Sequence, residues 1–401
     1  MLKCRTVGLS AEEKAIGMRL GDVIRVVDER NVDGEITNLL GVSIDKHFMP
    51  SVANVIGTDL TKYKVVRENR FACSLMQVSR DHKMPISRYA QSEPSIISPA
   101  YVMFELVGDD VLPEFLELWT QRAEFDREAD FYAVGGVRGN MTWDELQGMS
   151  LVVPPIALQR DIVEHHKAIS SRIKALKQLN DKLAAAGIAS VRRITGDITM
   201  VGISSNDIQN VLLPDGCYPT KVANFCDYTK SGSTPSRKNN AYWVDASVPW
   251  LKSGEVDNNV TVSTEELINE IAVSQTATKL LPRGTVLMAM YGVTAGKVGY
   301  LDIDSCTNQA ICGMFCSNPD KAAFLYYSLL RDQEEISRLA NGGAQNNLSK
   351  ELIDNTFIVV PSIEIIEGSG LRAMLDLTRS NYVEINLLED ARTALLSSLS
   401  R

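Results

Sequence analysis

The residues most suggestive of chemistry lie at Gly292–Gly299, GVTAGKVG, where Lys297 follows a glycine as in a phosphate-cradling loop. The nucleotide-binding pattern GxxxxGK[ST] needs glycine at 291 and a hydroxyl residue at 298. The chain has Tyr291 and Val298, so the loop is a residue short and the magnesium-binding hydroxyl is missing. A strand–turn–strand hairpin with Lys297 at its tip is the better reading. The four histidines are His47, His82, His165 and His166. The last two are adjacent on a helical run and diverge by about 100°, a poor metal arrangement. They read as a seam residue and a surface residue. Asp81-His82-Lys83 is a lone D-x-K without an upstream carboxylate. A methyltransferase would need a glycine-rich cofactor loop and an N/D-P-P-aromatic segment, and VVPPI supplies neither. These residues point to binding, not catalysis.

The binding signals are loops. SGSTPSRKNNAYW (231–243) offers backbone amides, the hydroxyls of Ser233, Thr234 and Ser236, and the cations Arg237 and Lys238. Such groups are the usual donors to phosphate oxygens. KSGE adds Lys252, the hairpin adds Tyr291 and Lys297, and the polar turn SRDHKMP adds Arg80 and Lys83. Two glycine-rich loops carry Arg138 and Asn140, and Gln345, Asn346 and Asn347. Arg pairs bidentately with guanine, and Asn or Gln with adenine. Ordinary turns would use the same Asn and Gly; the occurrence of the loop twice favours binding for the set.

Long helices must position these loops. In IALQRDIVEHHKAISSRIKALKQLNDKLAAAG, Ile162, Ile169, Leu176 and Leu183 recur every seven residues, with Leu179 and Ala186 three residues on. That spacing is a coiled-coil seam. Prolines 154 and 155 open the helix and Gly187 closes it, giving a spacer of ~48 Å. A second amphipathic helix runs from Leu371 to Leu399. Leu371, Ile385 and Leu399 lie on one seven-residue series, and Met374, Leu388 and Leu395 on another, interrupted by Asn381.

Each long helix follows a similar module. Gly135 and Gly342, and Pro154 and Pro361, stand 207 residues apart. At that offset Ala133, Gly135, Gly136, Asn140, Val152, Val153, Pro154 and Ile156 recur identically. Each half reads as short strands, then a helix (113–130 in the first; FLYYSLLRDQEEISRLA in the second), a glycine-rich loop into a short helix, and a strand stopped by proline. Duplication is the natural explanation. The inserted surfaces differ, which suits two modules with different targets.

Composition bounds the rest. At 401 residues the chain has room for two domains plus helices. Hydrophobic content of 45% and charge of 23% are those of a folded soluble protein. No apolar stretch approaches the ~20 residues of a membrane span, and the start of the chain lacks the apolar core of a secretory signal. Seven irregularly spaced cysteines without a CxxC pair read as reduced cytosolic thiols. The net charge of −9 counts against a simple basic nucleic-acid binder, unless cations are segregated onto one face.

Taken together, SGSTPSRKNNAYW with VPWLKSGEV, NGGAQNNLSKEL, the lead-in VVPPIALQRDIVEHHKAISSRIKALKQL and the first-half segment LLGVSIDKHFMPSVANVIGTDLTKY resemble the DNA-specificity subunit of type I restriction-modification systems. The resemblance covers nearly the whole chain. It implies an α+β fold of two tandem α/β target-recognition domains (1–154 and 188–361) separated by two long helices (155–187 and 362–401) that form an antiparallel coiled coil. It implies a non-catalytic subunit, each half reading one half-site of a bipartite double-stranded DNA target. Partners would be two methyltransferase (modification) subunits and restriction/translocase subunits. S-adenosylmethionine, ATP and Mg would belong to those partners, with no cofactor or metal here and a cytoplasmic location. A spacer of ~48 Å matches about 14 base pairs of unread DNA. The second helix departs from the family pattern at its start, VVPSIEIIEGSGL. The competing reading is a coiled-coil interaction scaffold without DNA readout; a fused restriction enzyme conflicts with the missing catalytic motifs.

Overall fold

The computed structural model describes residues 15–51, 58–76, 78–134, 139–340 and 347–399. The chain divides into two compact units, Met1–Ser171 with Glu389–Arg401, and Arg172–Leu388. Each is a mixed helix-and-sheet body, and the expected α+β class is borne out.

In the first unit one sheet orders Ile24–Val26, Val102–Leu106, Phe71–Cys73 and Ile86–Arg88, all antiparallel. The second sheet orders Phe48–Pro50, Leu39–Val42, Ser95–Ile97 and Lys64–Val66, with only its middle pair parallel. The second unit repeats both. Tyr228–Ser231, Ile311–Phe315, Val286–Ala289 and Val298–Leu301 form the antiparallel sheet, extended by Asn259–Thr261. Glu266–Ile268, Val248–Leu251, Ser305–Thr307 and Leu280–Leu281 form the other, again with a parallel middle pair. Beyond the sheets, the strands Ser150–Val153 and Phe357–Val360 and the helices Trp143–Gly148 and Lys350–Asn355 coincide at the 207-residue offset. Their N-caps, Thr142 and Ser349, accept from the amides of Glu145 and Leu352, the usual role of a hydroxyl there. The duplication read from the sequence is therefore present strand by strand.

Burial of large side chains drives both bodies. Phe71 stacks on Phe104 at 5.1 Å, and Trp119 meets Phe125 edge-on in the first unit. In the second, the helix Pro319–Arg331 lies almost wholly buried against the antiparallel sheet. Each expected mid-domain helix is two: Pro113–Thr120 with Ala123–Val134, and Pro319–Arg331 with Gln333–Ala340. Trp119 and Phe125 must both face the core across the first break, which one straight helix does not allow.

The long helix corrects the sequence reading in two ways. It runs Ile156–Thr195, 40 residues, and Gly187 does not close it. A Cβ at Gly187 would stand 2.3 Å from the Tyr327 ring, so this glycine permits close packing. The stop is Gly196, in the left-handed region at φ 74°, the usual residue after a helix end. Beside it Thr195 Oγ accepts from buried Arg331 at 2.6 Å, whose fork also grips Asp332. The seam is also displaced. Ile162, Ile169, Leu176 and Leu183 do face inward, at least in part. Their companions are His166, Ile173, Asn180 and Gly187, four residues on; Leu179 and Ala186 are exposed. Two of these four positions are polar and a third is glycine, which concealed the series from hydrophobicity. His166 is half-buried and His165 exposed, as expected.

The second helix, Leu371–Ser398, turns inward Leu371, Thr378 and Ile385, and more loosely Leu388 and Leu395. It runs antiparallel to the first. In the second unit Arg172 pairs with Glu384 at 2.7 Å, and in the first Ile162, Val163 and Leu396 share one core. The two starts differ as the sequence warned. Gln159 is buried, accepting from Leu112 N at 2.9 Å and donating to the carbonyls of Asp110 and Pro154 at 2.8 Å. Its counterpart in the repeat is buried, apolar Ile366, on a short helix Ile363–Gly368 that breaks before Gly370 (φ 75°).

Asn381, which interrupts the apolar series, has a partner: its Nδ2 donates to Asn180 Oδ1 at 2.7 Å, both side chains being buried. Such a pair fixes helix register at some cost in stability. Asn381→Leu should destabilise the second unit by ~1–3 kcal/mol, because Asn180 is left unpaired. The double variant with Asn180→Leu should recover most of that loss, and a double-mutant cycle in denaturant measures it. Additive losses would mean the pair does not act as a unit. Among the described residues no helix is long and apolar enough to cross a membrane.

Candidate nucleic-acid interface

In the second unit, five chain segments meet where the strands end. Ser233 N donates to Thr307 O at 2.9 Å, and Trp250 Nε1 donates to Ser233 O at 3.1 Å, fixing the turn after Tyr228–Ser231. Thr234 Oγ lies 2.5 Å from Gln309 Oε1. Asn308 N donates to Leu251 O at 2.9 Å, and Thr294 Oγ donates to Ser253 O at 3.1 Å. Leu348 N donates to Met290 O at 2.7 Å, which sets Asn347 across from Tyr291 in an antiparallel bridge. The outcome is one edge bearing Thr234, Ser253, Tyr291, Thr294, Gln309 and Asn347.

The first unit builds the same edge. Met141 N donates to Leu75 O at 2.9 Å, as Leu348 does to Met290, and so places Asn140. Ala100 N donates to Ser98 Oγ at 3.3 Å, as Ala310 N does to Asn308 Oδ1 at 3.1 Å. A polar side chain turns the chain back at the same point of the topology in both.

The cationic candidates mostly face partners within their own unit. Arg237 is paired with Glu266 and stacks over Trp243 at 3.9 Å and Trp250 at 5.1 Å. Its hydrogen bond holds the Glu266 carboxyl below the ordinary range. Lys252 reaches Glu265 at 2.5 Å and Glu266 at 3.2 Å. Lys297 reaches Asp257 at 2.9 Å, and the hairpin tip is Gly292–Thr294, not Lys297 as expected. Lys238 is exposed and takes no ion pair among the described residues. Ser236 is exposed, its carbonyl accepting from Trp243 Nε1. In the first unit Arg80 grips Asp81 at 2.7 Å and Lys83 stands 3.7 Å from Asp45. Arg138, Gln345 and Asn346 lie outside the described residues.

The structure thus gathers Ser233, Thr234, Tyr291 and Asn347, with Lys252 and Lys297 at the flanks. It adds residues that sequence reasoning missed: Ser253, Val293, Thr294, Asn308 and Gln309. The available signal was the polar run Thr307-Asn308-Gln309 inside an otherwise apolar extended segment. Among the described residues no group of three metal-binding side chains occurs. The edge is rich in amides and hydroxyls and its cations are locally neutralised, so it suits reading hydrogen-bonding patterns more than gripping a charged backbone.

Comparison with known proteins agrees with the resemblance drawn from sequence. Residues 214–369 match the family described as the type I restriction modification DNA specificity domain. The chain is 22% identical over 369 residues to the type I restriction enzyme HindI specificity subunit of Haemophilus influenzae, covering 76% of this chain and 80% of that one. It is 23% identical over 137 residues to the EcoR124I/EcoR124II specificity subunit of Escherichia coli, covering 33% of this chain and 34% of that one. The crystal structure of a type I restriction-modification S subunit from M. genitalium shares the fold, with a TM-score of 0.56 and 11% identity over 98% of both chains. Over residues 214–369 the expected resemblance is borne out, and the matched domain is described as one of DNA specificity.

Proposed function

We propose that this chain, a relative of type I restriction-modification specificity subunits, reads a bipartite double-stranded DNA target. One half-site falls to the module ending at residue 154, the other to the module that begins after the long helix and ends at 361. The observation that carries the reading is the duplicated edge: the same strand topology delivers the same loop ends twice, with different side chains. A single binding surface would not need that arrangement. Arg138, Asn140, Gln345 and Asn347 belong to the readers, with Gln309 and Thr234 added in the second half. Methyltransferase and restriction/translocase subunits bring S-adenosylmethionine, ATP and magnesium, supply much of the phosphate clamp and perform adenine methylation in a cytoplasmic complex. That division makes the acidic balance of −9 intelligible, because base readout needs few net cations.

The variant Gln309→Ala with Asn347→Ala tests the reading. Each good base contact is worth ~1–3 kcal/mol of discrimination. Methylation mapping with the partner methyltransferase should show relaxed preference at one or two positions of one half-site, the other half-site unchanged. An unaltered motif, or loss of preference in both halves together, would count against separate readers.

A further inference from the structure

The tip of the Val286–Leu301 hairpin presents an apolar residue that packs against none of the described residues: Val293 is 100% exposed. The turn holding it is braced from several directions. Ala295 N donates to Gly292 O at 3.1 Å, Lys297 N to Thr294 O at 2.8 Å and Gly296 N to Ala289 O at 2.9 Å. Thr294 Oγ donates to Ser253 O, and Ser337 Oγ donates to Ala295 O at 3.2 Å. Gly292 and Gly296 both take left-handed φ, 75° and 87°, and a Cβ on Gly296 would press into Ser337 Oγ at 2.2 Å. A mobile loop would let valine fold back onto the protein; this turn does not. On either side stand Tyr291, 41% exposed, and Thr294, within the amide- and hydroxyl-bearing edge described above.

We propose that Val293 is a specificity-determining residue that recognises the 5-methyl group of a thymine in the major groove of the second half-site. The proposal rests on the DNA reading of this edge. Amides and hydroxyls read donors and acceptors, but the thymine methyl is the one apolar feature of the groove, and it is read by small apolar contacts. A branched side chain held rigidly in solvent has little conformational entropy to lose on contact.

The test uses the full chain in complex with its methyltransferase partner, once the target is mapped. Thymines of the second half-site are replaced one at a time by deoxyuridine, which lacks only the methyl group. Binding should weaken about fourfold at one position, the value of one buried methyl(ene) group. Val293→Ala should bind the thymine duplex several-fold more weakly and no longer discriminate thymine from uracil there. As Val293 is fully exposed, its truncation should leave the fold intact. Equal binding of every deoxyuridine duplex, a half-site without an A·T pair, or discrimination that persists in Val293→Ala would overturn the proposal while leaving DNA reading in place. Absence of sequence-specific binding in the wild-type complex would overturn both.

Discussion

Gly232→Ala is expected to destabilise the second unit by ~3 kcal/mol and to abolish reading of one half-site. A Cβ at this position would lie 2.1 Å from Thr307 O, 2.2 Å from Thr307 Oγ and 2.5 Å from Asn308 O. Two of these are backbone oxygens at the end of Ser305–Thr307, pinned by Asn308 N donating to Leu251 O. They cannot retreat as a flexible side chain would. The turn at 231–236 must instead move away and give up three contacts: Ser233 N to Thr307 O, Trp250 Nε1 to Ser233 O, and Thr234 to Gln309. Overpacking costs ~1–3 kcal/mol and each lost hydrogen bond about 1. Denaturant unfolding measures the stability loss. Binding to duplexes with one half-site scrambled measures the function: the variant should still discriminate the first half-site. Wild-type stability with an intact motif would mean the turn does not sit against Thr307.

Gly187→Leu should destabilise the second unit by ~3 kcal/mol or more, and the sign is informative even for Gly187→Ala. By intrinsic propensity, alanine for glycine inside a helix gains ~1 kcal/mol. Here the added Cβ would meet Tyr327 at 2.3 Å on two ring carbons, and that ring is 1% exposed inside the core. Packing therefore outweighs propensity, since forcing atoms into a filled core costs ~1–3 kcal/mol and leucine adds three further carbons. Both variants should lower the thermal midpoint, leucine further. A rise with alanine would show that Gly187 serves only to weaken the helix.

Much of the architecture was legible because duplication prints itself in sequence. The VVP and glycine-loop matches at the 207-residue offset coincide with equivalent strands, helices and N-caps. The long helices were legible from period alone. What escaped was decided by tertiary contact. Gly187 carries the same letter whether it caps a helix or admits a ring. His166 and Asn180 hide half of a seam because their burial depends on the facing helix, and Asn381 reads as an interruption until Asn180 is beside it. At the candidate interface, Thr234, Lys252, Tyr291 and Asn347 stood out by loop chemistry and repetition. Gln309 and Val293 did not, since their placement depends on which strand ends converge. The cations Arg237 and Lys252 looked free in sequence, and their carboxylate partners are Glu266, which opens another strand, and Glu265 just before it.

Adenine-methylation mapping is the most direct measurement, made on DNA from cells that co-express this chain with a type I methyltransferase subunit, the partner proposed above. Two separate readers should give a split motif, two short half-sites around a fixed unread gap. A continuous short motif, or no methylation with the methyltransferase shown active, would contradict it.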